Sequence, residues 1–276
     1  MLASLSSLQL GAACASLQFG ALGAGGVSAL RLGIAAVVML VLVRPRPLGW
    51  TRARWAVSIQ LGVCLALMNI TFYEAVARLP LGIAIAVQFS GPLAVAAATT
   101  RRWTDAVPVL GAAAGIGIFG LQSWGGQASL DSLGLLIALV AGAFWAAYIV
   151  TASRAARLHA GLDGLAVASV VAGALALPWG VSVAGDRLLD PTALLVGLGI
   201  ALLASVVPYV CEITALRVIS GREFSIMVAL EPAVGAVVGL LVLRQGLSVT
   251  QSIAIALVVV AAVTIARAGP TTRVAR

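Results

Sequence analysis

Apolar runs about 20 residues long recur along the whole chain, separated by short connectors. They fall at residues 2–22, 27–43, 55–76, 81–99, 106–122, 133–151, 165–183, 192–216, 224–243 and 247–266. A run of roughly 20 apolar residues matches the thickness of a bilayer core. Backbone groups in hydrocarbon must pair internally, which leaves only helices and closed barrels. Barrel strands are about 10 residues long with alternating polarity, whereas these runs are longer and continuously apolar. The expected fold is therefore an all-α integral membrane protein of ten transmembrane helices.

Composition agrees with this. Hydrophobic residues make up 62% of the chain and charged residues 9%, against about 25% charged in soluble domains. The net charge is +8, and every basic side chain that contributes to it is arginine. Apart from Arg31, those arginines sit in or beside connectors, where orientation signals belong. They do not form the basic stripe with aromatic platforms that nucleic acid would need, so nucleic acid is excluded as a partner. Arg44, Arg46, Arg52 and Arg54 follow the second run, Arg101 and Arg102 the fourth, and Arg154 and Arg157 the sixth. Arg217 and Arg222 lie around the end of the eighth, and Arg267, Arg273 and Arg276 follow the last. The opposite connectors hold only Arg78, Arg187 and Arg244. With ten spans, every rich connector falls on one side, which predicts cytoplasmic termini and a plasma-membrane (bacterial inner-membrane) location. Cys14, Cys64 and Cys211 lie far apart inside apolar runs, with no metal-ligand spacing.

The two halves of the chain are weakly similar. Gly91-Pro92 in the fourth run aligns with Glu231-Pro232 in the ninth, and at that offset Ala75 falls on Ala215. The halves are then 1–124 and 132–268, with five spans each. An odd number of spans inverts one half relative to the other, an arrangement common in secondary transporters.

The motifs themselves are distinctive. One stretch carries Asn69, Phe72-Tyr73-Glu74-Ala75 and Arg78-Leu79-Pro80, and leads to Gln88-Phe89-Ser90-Gly91-Pro92-Leu93-Ala94-Val95. The second half has Phe144-Trp145 with Tyr148, Pro208-Tyr209, Glu212 and Ala229-Leu230-Glu231-Pro232. Over nearly its whole length the chain resembles the EamA-domain transporters of the drug/metabolite transporter superfamily, and within them the threonine/homoserine exporter group. The resemblance implies ten spans, two EamA repeats and efflux of small metabolites across the bacterial inner membrane. Members of that group often carry an acidic residue where this chain has Gln88. Proton coupling here would then need another group.

Ionisable groups within spans are costly and are candidates for function. Glu231 lies eight residues after Glu223, about 12 Å into the membrane at the helical rise. The Pro232 that follows it removes a backbone donor. Glu231 is the leading candidate for proton coupling, with a structural glutamate as the alternative. Glu74 and Arg31 fall near the outer ends of their predicted spans. They either pair with each other or bind the two ends of a zwitterion, and Arg31 could equally snorkel to the headgroups. Glu212, one turn after Pro208, reads as a gate residue or an interface charge. Asn69, Tyr73, Gln88, Trp145, Tyr148 and Tyr209 suit a cavity that recognises an amine and a carboxylate. For Trp145 and Tyr148 an interfacial aromatic belt is the competing reading. Gly111 with Gly115, and Gly235 with Gly239, have the spacing of helix-packing faces. His159 reads as a solvated loop residue without a role.

The expected function is secondary transport: export of a small polar metabolite, an amino acid such as threonine or homoserine, by alternating access, with protons as the candidate coupling ion. The alternatives are an exporter of another metabolite or drug, a membrane-embedded enzyme, or a helical membrane protein without transport. No enzymatic nucleophile–base pair or metal-ligand spacing occurs in the sequence, nor does an ATP-binding P-loop. No cofactor is expected, and the partners are the substrate and the bilayer.

Overall fold

The computed structural model describes residues 2–99, 106–122, 130–159, 161–208 and 228–268. Each of the ten predicted spans contains helix, and there is no strand among the described residues. The helices are α1 (Leu2–Leu17), α2 (Phe19–Val43), α3 (Arg52–Val76), α4 (Leu81–Gln88), α5 (Ser90–Thr99), α6 (Ala106–Gln122), α7 (Ser132–Leu158), α8 (Asp163–Ala184), α9 (Pro191–Ala201), α10 (Glu231–Leu243) and α11 (Val249–Ala268). A 3₁₀ turn, Gly185–Leu189, joins α8 to α9, and a π-helical segment, Leu202–Val206, continues α9. The molecule is an all-α membrane protein. Four apolar helical stretches, Phe19–Val43, Arg52–Val76, Ser132–Leu158 and Asp163–Leu189, are long enough to cross a bilayer by themselves.

Local chemistry sets the helix ends. Asp131 accepts from Leu133 N at 2.9 Å and caps α7. Asp190 accepts from Thr192 N at 2.7 Å and Ala193 N at 3.2 Å, with Pro191 in the first turn of α9. Side-chain caps of this kind satisfy backbone donors that a helix start leaves open. Thr51 caps α3 in the same way.

The fourth span is two helices, because Pro92 has no N–H for the Gln88 carbonyl and its ring crowds that carbonyl. The chain turns at Phe89 between α4 and α5. There α5 passes α7 backbone to backbone: a methyl group built on Gly91 would overlap the carbonyl of Gly142, and one on Gly142 would lie 2.7 Å from the carbonyl oxygen of Gln88. Gly91, which the internal alignment pairs with Glu231, therefore has no room for a side chain.

The two halves of the chain interlock. α2 packs on α8, α3 on α7 and α8, α4 on α7 and α10, α1 on α10 and the π segment, and α6 on α11. Of the glycines with packing spacing, Gly115 lies against Ala254 and Val258 of α11, and Gly235 against Ile85 of α4. Gly111 has nothing within 4 Å, so the expectation of a packing face at Gly111 and Gly115 holds only for Gly115.

Candidate functional site

The second helix begins earlier than hydropathy suggested. The glycine- and alanine-rich stretch before residue 27 reads as a connector but belongs to α2, with non-helical geometry at Gly23. Arg31 consequently lies eight residues past the break at Gly23 and twelve before the end of α2, about 12 and 18 Å along the axis at the helical rise. Its side chain is buried against Tyr73, Ala204 and Ser205 rather than extended toward the headgroups.

Arg31 is 6% exposed. Its Nε donates to Ser205 Oγ at 3.3 Å, one Nη to Tyr73 Oη at 3.1 Å, and the other Nη to the carbonyl oxygen of Ala204 at 2.8 Å. The guanidinium carbon also stands 5.3 Å from the centroid of the Tyr73 ring, within cation–π range. Tyr73 is fully buried and packs against Phe19 and Phe72.

The acceptors on α9 follow from the sequence around Pro208. In an α-helix the N–H of residue 208 would serve the Ala204 carbonyl, and in a π-helix the Leu203 carbonyl. Proline has no N–H. Whichever of the two carbonyls that leaves without its helical donor, both accept from side chains elsewhere: Arg31 bonds Ala204, and Ser7 Oγ donates to Leu203 O at 2.7 Å. Ser4 Oγ donates to the Pro208 carbonyl at 3.4 Å. The broken helix is thus tied to α1 and α2. Arg31 has no carboxylate partner among the described residues, where the only salt bridge joins Arg78 to Asp131 at 3.3 Å. A guanidinium carries five N–H donors, and the bonds above engage three of them. A buried cation without a counter-ion is costly, and among the described residues none is supplied, which makes the position a candidate for an anionic ligand group.

The other candidates are spread over the bundle. Glu74 is half-buried, two residues before the end of α3, and makes no salt bridge with Arg31. Asn69 is buried and turned back on its own helix, donating to the Leu65 carbonyl at 2.8 Å. Gln88 is buried at the break between α4 and α5. Trp145 sits midway along α7, thirteen residues from each end, in edge-to-face contact with Phe89 at 5.4 Å. Tyr148, one turn on, packs beside Met68 and Ile70 and against Val57 and Leu61 of α3. Their depth argues against an interfacial belt. Glu231 is 6% exposed and opens α10, where the helix dipole favours a carboxylate. Tyr209 and Glu212 lie outside the described residues, as does Glu223, from which the depth of Glu231 was reckoned.

Sequence reasoning missed Ser205, Ser7 and the carbonyls of Ala204 and Leu203. The available signal was Pro208 inside an apolar run, which implies a carbonyl one turn earlier in want of a donor. It also misjudged His159. This residue is 8% exposed, its Nε2 shares a 3.1 Å hydrogen bond with Ser58 Oγ, and its ring packs on Trp50 with centroids 4.4 Å apart.

Comparison with known proteins places the chain. A profile described as the EamA-like transporter family matches residues 132–267. The threonine/homoserine exporter RhtA of Salmonella typhimurium (strain LT2) is 36% identical over 262 residues, 95% of this chain and 88% of the relative. The chain belongs to the EamA-like transporter family. RhtA of Escherichia coli K12 is 35% identical over the same shares of the two chains. A protein of known crystal structure, 20% identical, aligns over 96% of this chain and 94% of its own with a TM-score of 0.57, and so shares the fold. Membership of this family makes the molecule a membrane transporter.

Proposed function

We propose that this EamA-family transporter exports a zwitterionic amino acid, threonine or homoserine in the first instance, and that Arg31 receives the substrate carboxylate. The observation that carries the reading is a buried guanidinium with three of its five donors engaged and no counter-ion among the described residues, in a chain 35–36% identical to threonine/homoserine exporters over 95% of its length. A carboxylate that docks on Arg31 gains charge-assisted bonds in a water-poor setting. It also competes for the guanidinium that braces the Pro208 break, which gives binding a route to the conformation of α9.

Residues 1–124 and 132–268 act in this reading as two inverted repeats that rock about the central site. The packing supports it. Exchanging each span for its counterpart five spans on sends the contact of α2 with α8 onto itself, and likewise that of α6 with α11 and that of α4 with α10. The location is the bacterial inner membrane, with both termini cytoplasmic on the arginine asymmetry. Glu231 is the proposed proton-coupling group, since Gln88 cannot titrate. Tyr73 and Ser205 orient Arg31, while Asn69, Trp145 and Tyr148, with Glu74, Tyr209 and Glu212, remain candidates for the substrate path. The alternative is an EamA-type exporter of another metabolite.

The test is flux of radiolabelled amino acids from liposomes that hold the purified protein, with and without a pH gradient. Saturable threonine or homoserine flux supports the reading. No flux across a broad amino-acid panel by correctly inserted protein overturns it in favour of another metabolite.

A further inference from the structure

At one end of the bundle α2 finishes at Val43 and α7 at Leu158, while α3 starts at Arg52 and α8 at Asp163. The connectors 44–51 and 159–162 therefore share one membrane surface, whichever leaflet that is. Between them lies a cavity of about 260 Å³ lined by Arg46, Trp50, Arg54, His159 and Asp163 with Leu48 and two glycines. It is remote in the chain from the Arg31 cluster, and the transport reading makes no use of it.

Its walls are built. His159 is held by Ser58 and packed at a tilt against Trp50, and a methyl group at Gly164 would lie 2.6 Å from its Cδ2, so the first turn of α8 closes behind the ring. α8 starts at Leu162 without a side-chain cap, which leaves its first N–H groups open at the cavity edge. Arg46, Arg54 and Asp163 form no salt bridge among the described residues, where Arg78–Asp131 is the only one. Both signs of charge are thus offered to a ligand: two guanidinium groups, suited to a phosphate, and one carboxylate, suited to an ammonium. Beside them Leu48 is 96% exposed at the tip of its connector, and Trp55 is exposed next to Trp50. A fully exposed leucine flanked by tryptophans and arginines at the level of span ends is the composition of a segment seated among headgroups. Clefts for drug-sized ligands hold about 300–1,000 Å³, so this smaller cavity suits a compact polar group.

We infer that this cavity is a site for a phospholipid with a zwitterionic headgroup of the phosphoethanolamine type, its phosphate on Arg46 and Arg54, its ammonium on Asp163, and its acyl chains running past Leu48 into the bilayer. Asp163 is what separates this headgroup from a purely anionic one, since a headgroup without an ammonium meets an uncompensated carboxylate.

The experiment titrates the delipidated full-length protein with dioleoyl phosphatidylethanolamine and dioleoyl phosphatidylglycerol and counts bound lipid by native mass spectrometry. The wild type is expected to prefer the ethanolamine lipid. The R46A/R54A double variant, altered only at exposed side chains, weakens it about tenfold or more, as loss of charge-assisted bonds implies. Asp163→Asn removes the preference over phosphatidylglycerol without loss of total lipid binding. Ethanolamine-lipid binding unchanged in R46A/R54A, or a headgroup preference unchanged in Asp163→Asn, overturns the inference. Soluble O-phosphoethanolamine and free threonine, each in hundredfold excess, serve as competitors. Retention of the diacyl lipid against both is expected, and displacement by either shows a site for a soluble ligand and overturns the lipid assignment.

Discussion

Arg31 donates to the carbonyl oxygen of Ala204 at 2.8 Å, and that carbonyl is one that Pro208, four residues on, has no N–H to serve. A charged side chain on α2 thus stands in for a missing backbone donor in the second half of the protein. The bond couples a candidate substrate-binding group to the point where the eighth span departs from regular helix.

Replacing Arg31 by lysine keeps the charge and removes the fork. An ammonium cannot reach Ser205, Tyr73 and the Ala204 carbonyl together in planar geometry. Arg31→Lys should lower the melting temperature of the purified protein, with a cost of about 1–3 kcal/mol for each buried partner left unserved. It should also raise the KM for substrate. An unchanged melting temperature would show that the π segment does not need the brace.

Gly91 is predicted to be intolerant of any side chain. The added methyl group of Gly91→Ala meets the Gly142 carbonyl, which is backbone and cannot rotate away. Overpacking of this kind costs about 1–3 kcal/mol and sometimes more. Gly111→Ala, in open space, is the matched control and should leave stability unchanged in thermal unfolding of the detergent-purified protein.

The contrast between these two glycines shows what hydropathy can and cannot resolve. The spans were legible because bilayer thickness imposes a length on every apolar run, and the boundaries of α6 coincide with the predicted 106–122. The start of α2 was not, since residues 19–22 read as the end of the first run and Gly23 to Gly26 have too little side chain to register as membrane-buried. That error set Arg31 four residues into its predicted run, whereas it lies eight residues past the break at Gly23. His159 was misplaced for a related reason. Its burial comes from Ser58 and Trp50, which are remote in sequence from it. Tyr73 was chosen as a polar residue within a span, but its bond to Arg31 depends on which faces of α2 and α3 meet. Periodicity in uniformly apolar helices does not reveal that.

The capped helix starts predict a pH response. Partial burial raises the Asp131 carboxyl, while N–H groups of Gly134 and Leu133 and the Arg78 guanidinium lower it by more, so it stays below the usual aspartate range. Bonds from Thr192 and Ala193 lower Asp190 likewise. A carboxyl depressed in the folded state stabilises above its unfolded pKa, and the effect is lost as pH falls through the folded one. The destabilisation caused by Asp190→Ala should therefore be constant from pH 7 to pH 5 and shrink only below the ordinary aspartate value near pH 4. Melting curves of wild type and variant across that range check it. A difference that disappears already between pH 7 and pH 5 would assign it to another group.

Glu231→Gln preserves size and removes the charge. With Gln88 unable to titrate, the variant should reach the membrane at normal levels, keep exchange of labelled for unlabelled substrate, and lose the acceleration that a pH gradient gives. Equal gradient-driven flux in variant and wild type would leave Glu231 a structural or substrate-contacting residue.

The central claim is that Arg31 receives a substrate carboxylate. It is tested most directly by inhibition of threonine flux in liposomes by threonine and by threoninol, which lacks the carboxylate, for wild type and Arg31→Gln. The account predicts that threonine inhibits the wild type at least tenfold better than threoninol, as loss of a charge-assisted contact implies, and that Arg31→Gln abolishes this discrimination. Equal inhibition of the wild type by both compounds, or full discrimination retained in Arg31→Gln, would contradict it.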